Sequence, residues 1–309
     1  MLGDLAKLAA AVALPAPLAA FAKIGSQGDA ARGYHERAGS GDDDHARLTA
    51  WIGALRAEKL TGPRVPLGRA TVRVGELAVG TPYVANTLEA YLRAGGTASS
   101  TEPLTLSLAH FDCVTLVESC LGIARVARGG SAPSWERLEH EVERMRYRDG
   151  KRGDYTSRLH YFSEWIADGE RRGLVHDLGG TLGGVEDARP LRFMTEHRGS
   201  YVALADDGAF RAIGAMERRL DDRPRHVVPT ARIAEVSDRI ETGDVLAFAT
   251  SIPGLDVTHT ALAYRDPAGV LRVLHAPLSG GSVEVSKARL PEYVAAIRRS
   301  TGILVARPT

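Results

Sequence analysis

Both cysteines of this 309-residue chain fall in one stretch, "AHFDCVTLVESCLGIARV" at residues 109–126. Cys113 follows Phe111 and Asp112, where an apolar, alternating run gives way to helical spacing. At a helix start, unpaired backbone N–H groups and the positive end of the dipole favour a thiolate. The same N–H groups can hold the oxyanion of a tetrahedral intermediate. Cys120, between Ser119 and Leu121, reads as a small buried hydrophobe. The two do not pair readily, because seven helical residues rise about 10 Å and a disulfide spans roughly 4–7 Å between Cα atoms.

A nucleophilic thiol needs a proton acceptor, usually histidine, that need only be close in space. Of ten histidines, His35, His45, His140 and His176 lie in strongly polar surroundings and read as surface residues. His259 lies inside "DVTHTALAY", and His275 ends "RVLHAP". The short turn "RDPAG" between these strands can bring both rings to one side of a sheet, as a base and its orienting partner. For each of them, a satisfied core or rim histidine is the competing reading. The acidic knot Asp42-Asp43-Asp44-His45 has no second ligand cluster near it and reads as a solvated, capping turn. The chain has no H-E-x-x-H, no pair of C-x-x-C, no G-x-G-x-x-G after a strand and no phosphate loop. Neither a metal nor a nucleotide cofactor is therefore expected.

Helical spacing is expected at residues 113–128, ending at Gly129-Gly130, and near 134–146, 157–172, 208–220 and 288–299. Residues 61–83 read as a loop and then extended chain, and "LGGTLGG" at 178–184 as a hinge. From about residue 243, "GDVLAFATSI", "DVTHTALAYRD", "GVLRVLHAP" and "GSVEVS" read as an antiparallel meander, closed by a last strand, "GILVARP". Helices first and a sheet afterwards give an α+β fold.

Apolar residues at 44% and charged residues at 25% suit a globular protein with a real core. A net charge of +1 gives no case for nucleic acid. The basic residues from Arg144 to Arg152 read as a solvated face. Residues 1–22, with Lys7, an Ala/Leu/Val run and an ending of Ala20-Phe21-Ala22, resemble a secretory signal peptide and predict an exported, periplasmic protein. Asp4 argues against this, and Pro15 and Pro17 make the run a poor bilayer span. No integral membrane segment is expected in the mature chain.

"GTPYVANTLE" (80–89) and "FDCVTLVES" (111–119) are similar to the signature of the NlpC-type cell-wall cysteine peptidases, a papain-like superfamily. "GLDVTHTALAY" (254–264) resembles its histidine strand and "LHAP" (274–277) the strand of its third residue. "YTSRLHYFSEW" (155–165) and "TGDVLAFATSIPGLDVTH" (242–259) point to its N-acetylmuramoyl-L-alanine amidase-like branch. The departures are Val114 after the cysteine, Thr260-Ala261 after the histidine, and Pro277.

The resemblance implies a papain-like core with the nucleophile at a helix start packed on an antiparallel sheet. It divides the chain into a helical extension (23–74) and an amidase domain (75–309) with a helical insertion (131–235). It makes Cys113 the nucleophile, His259 the general base and His275 the orienting residue. Tyr83 would assist the oxyanion or the substrate, or simply pack at a strand end. Asp112 would brace the helix start, since a carboxylate there raises the thiol pKa. Arg158, His160, Tyr161 and Trp165 are expected on one helix, lining a groove with Arg for a peptide carboxylate and rings for sugar; an amphipathic core helix is the alternative. The implied substrate is peptidoglycan or a muropeptide, cut between the lactyl group of N-acetylmuramic acid and L-alanine. A γ-D-glutamyl–diamino acid endopeptidase and a catalytically idle wall-binding module are the alternatives. A lipid acyltransferase would want a membrane anchor, for which "GILVARPT" is too short.

Overall fold

The computed structural model describes residues 41–130, 132–279 and 281–309. The leader-like residues 1–22 and the first part of the helical extension lie outside them. The longer helices are α1 (Gly41–Ala57), α2 (Leu67–Leu77), α3 (Cys113–Arg128), α4 (Trp135–Arg146), α5 (Phe162–Arg171), α6 (Asp207–Leu220) and α7 (Leu290–Ala296). The strands are β1 (Val175–Asp177), β2 (Val185–Asp187), β3 (Arg225–Pro229), β4 (Val245–Thr250), β5 (Val257–Arg265), β6 (Leu271–His275), β7 (Glu284–Val285) and β8 (Ser300–Pro308).

These strands form one antiparallel sheet in the order β2-β3-β8-β4-β5-β6-β7, with β1 also paired to β8. From β4 to β7 it is the expected meander. The α+β reading therefore holds, with two additions. β8 returns to lie beside β4 in the middle of the sheet, and residues 131–235, expected to be helical, contribute β1, β2 and β3. "LGGTLGG" is a packed turn between β1 and β2 rather than a hinge: a Cβ on Gly179 would stand 2.5 Å from the carbonyl oxygen of His226 on β3.

One face of the sheet packs on the helices. Leu262, Leu274, Val245, Ala247 and Leu304 meet Leu116, Val117, Cys120 and Leu121 of α3. The opposite face, with Phe248, Ala261, Val273, Ile303 and Val305, is covered by Leu290 and Val294 of α7. Residues 115–124 of α3 are all buried, so this helix is the central strut of the molecule. Its Glu118 pairs at 2.8 Å with Arg146 of α4, which is 2% exposed and corrects the solvated face expected around it.

α2 replaces the extended segment expected at 61–83. Its valines and threonine suggest a strand, but Leu67, Ala70, Thr71 and Val74 form one buried stripe, and packing outweighs their β propensity. The helix fits closely where glycines permit it: a Cβ on Gly68 would stand 2.6 Å from the carbonyl oxygen of Thr242.

Candidate active site

Cys113 is the first residue of α3, and the turn before it explains why the helix begins there. The Asp112 carboxylate accepts from the Thr115 amide at 2.8 Å, while the Thr115 hydroxyl accepts from the Asp112 amide at 2.9 Å, a reciprocal cap. The Cys113 side chain is half-buried and unpaired, and Cys120 is buried and also free.

The thiol meets the sheet at an uncovered edge. β5 pairs with β4 from Val257 onwards but with β6 only from Leu262 onwards, so its first residues have one side free. There the amide and hydroxyl of Thr260 face the sulfur, and the hydroxyl, though buried, has no other hydrogen-bond partner. Both contacts pull the thiol pKa down. They are outweighed by burial and then by the Asp112 carboxylate, which together push it up to about 11. Burial and the Asp112 carboxylate thus oppose the thiolate that a helix start favours.

His259 precedes Thr260 on the same free edge of β5. It stands across from Phe248, with ring centroids 5.6 Å apart, and its Nε2 lies 2.8 Å from Nδ1 of His275. The Tyr293 hydroxyl of α7 is 3.4 Å from that same Nδ1. Burial, then the neighbouring His275, lowers His259 to about pKa 3; burial lowers His275 to about 4. Both rings are neutral at pH 7. The His259–His275 contact leaves Nδ1 of His259 as the nitrogen open to a reacting group.

Tyr83 is brought to the same region. Its amide donates to the Gly281 carbonyl at 2.8 Å, its backbone bridges Phe111, and burial and then the Cys113 sulfur raise its phenol pKa.

The remaining groove residues are not where the spacing put them. Arg158 lies before α5, in a bridge with Tyr147, so the four do not share a helix. Its guanidinium is buried between Glu89 and Glu102, 3.5 Å from each, and is already neutralised. His160 donates its Nε2–H to the Tyr155 carbonyl at 2.9 Å, its pKa lowered by burial and then by Arg158. The Tyr161 hydroxyl donates to Glu217 at 2.7 Å, and Trp165 stacks on Phe162 inside the core. Tyr161 and Trp165 are 2% and 3% exposed, so they hold the core together and offer no ring face to a sugar. Thr260, Glu284 and Tyr293 were missed. The signal for Thr260 and Glu284 lay in strand alternation and hairpin register, which set His275 directly opposite Glu284, whereas Tyr293 lies on α7.

Among the described residues no cluster of three or more His, Cys, Asp or Glu could hold a metal ion. The model of the N-acetylmuramoyl-L-alanine amidase-like family matches residues 73–303. The chain belongs to that family. An N-acetylmuramoyl-L-alanine amidase from Bacteroides uniformis is 31% identical, with a TM-score of 0.71 over 79% of this chain and 99% of that one. A Bacteroides fragilis protein described as a candidate xylanase is 33% identical, with a TM-score of 0.68 over 75% and 98%. A Legionella pneumophila protein, 17% identical with a TM-score of 0.61 over 86% and 95%, shares the fold alone. No curated protein matches. The amidase-like region begins inside α2, so α1 precedes it while still packing into the same core.

Proposed function

We propose that this member of the amidase-like family is a cysteine-dependent hydrolase of the bond between the lactyl group of N-acetylmuramic acid and L-alanine in peptidoglycan fragments. The observation that carries the reading is the hydrogen-bonded pair His259–His275 next in the strand to Thr260, which faces the half-buried thiol of Cys113. The architecture suits the papain-like arrangement of a thiol at a helix start packed on an antiparallel sheet.

In the mechanism, Nδ1 of His259 takes the thiol proton as Sγ attacks the carbonyl carbon. The C–N bond then breaks, and His259 returns that proton to the departing amine. Water, deprotonated by the same ring, hydrolyses the thioester to a carboxylic acid and regenerates the thiol. Burial raises the thiol and lowers the imidazole, which favours proton transfer in step with attack over a resting ion pair. The Cys113 and Thr260 amides are the donors available to the oxyanion. His275 orients His259, and Tyr83 assists at the rim. The leader-like residues 1–22 support an exported protein that meets its substrate in the periplasm.

A sugar-cleaving reaction, as the name of the B. fragilis relative would suggest, needs two carboxylates astride the bond. Here Asp112 is committed to the Thr115 cap. The test is mass spectrometry of muropeptides treated with the wild type and Cys113→Ala. Release of free peptide from MurNAc-peptide by the wild type alone is the expected result. A shortened stem left on the sugar would instead establish an endopeptidase, and no turnover by either would favour an idle wall-binding module.

A further inference from the structure

Glu284 stands directly opposite His275 across β6 and β7. His275 is 1% exposed, and its Nε2 is buried without a hydrogen-bond partner. The nearest carboxylate oxygen, Oε1 of Glu284, is 3.7 Å from that nitrogen. From this geometry, and resting on the reading of Cys113 and His259 above, we infer that Glu284 is a positioning residue that fixes the tautomer of the His259–His275 pair.

A neutral imidazole carries one N–H. For His259 to take a proton at Nδ1, its own hydrogen must sit on Nε2, where it is donated to Nδ1 of His275 across 2.8 Å. His275 then accepts at Nδ1 and must carry its hydrogen on Nε2, the orphaned atom. The groups facing His275 are His259 from β5, Tyr293 from α7 and Glu284 from β7. Tyr293 approaches the Nδ1 side and cannot serve Nε2. Glu284 can, by a shift that brings its carboxylate into hydrogen-bond range. Its negative charge then also favours the imidazolium formed on His259 during attack, without taking up a proton itself.

The Glu284 side chain is 48% exposed, so its replacement leaves the fold intact. The experiment combines imidazole 15N NMR of the full chain with steady-state kinetics on a MurNAc-peptide. Wild type is expected to show His275 protonated at Nε2. Glu284→Ala should mix the tautomers and lower kcat about tenfold with KM unchanged, the usual scale for a group that orients a working imidazole. Glu284→Gln, which keeps an acceptor oxygen, should restore most of the rate and the Nε2–H signal. Wild-type His275 protonated at Nδ1, or Glu284→Ala with unaltered kcat and tautomer, overturns the inference. Retained activity in Cys113→Ala would defeat the nucleophile assignment instead, while the NMR arm would still decide the role of Glu284.

Discussion

Cys113 and Cys120 share a helix but differ in what reaches them, and substitution should separate them. Cys113→Ala is expected to abolish turnover. Cys120→Ala should leave kcat near normal and cost on the order of 1 kcal/mol for the small void in the core, measured by denaturant titration. The thiol pKa near 11 gives a second test. Iodoacetamide should alkylate Cys113 more slowly than a free thiol at pH 7, with a rate climbing towards pH 11. Asp112→Asn, which keeps a capping side chain but removes the charge, should lower that apparent pKa. An alkylation profile with a midpoint below pH 7 would contradict both. The histidines give a third. Their folded pKa values are depressed below the unfolded value of about 6.5, so below that pH the unfolded chain binds more protons than the native one. Stability is therefore lost as pH falls from about 6.5 towards 4, with a slope of about 1.4 kcal/mol per pH unit for His275. Thermal melts of His275→Gln should decline less steeply over that window, and parallel curves would refute the argument. The His259–His275 juxtaposition was legible in a five-residue turn between two alternating strands. The charge of the sulfur was not, since it depends on how much protein surrounds it.

At the scale of elements, legibility followed the length of the pattern. α3, with an acidic cap and a glycine stop, matches its expected bounds of 113–128. α2 was misread because β-branched residues on a helix are tolerated only when a neighbour covers them, and that neighbour is distant in sequence. β1 and β2, three residues each, are too short to carry a period. The face expected from Arg158 to Trp165 failed because a 3-10 turn at Tyr155–Ser157 and extended chain precede α5, breaking the helical phase. The buried ion pair between α3 and α4 offers a test at this level. Glu118 and Arg146 are 1% and 2% exposed, so Arg146→Met leaves a carboxylate without its counter-ion and should cost about 3–5 kcal/mol. Glu118→Gln in that background should recover much of the loss by removing the stranded charge. If the double variant is no more stable than the single one, the pair is not what braces the helix under Cys113.

For the whole molecule, the site is assembled from segments far apart in the chain: Tyr83, Cys113, His259, His275 and Tyr293. β5, which carries His259, is held by β4, and β4 is held on its other side by β8, residues 300–308. During synthesis the strand that completes the middle of the sheet therefore leaves the ribosome after every residue of the site. A nascent chain that already contains the thiol and both imidazoles still lacks the support that aligns them. Under the proposed function, hydrolytic competence would then appear only after β8 has joined the sheet beside β4.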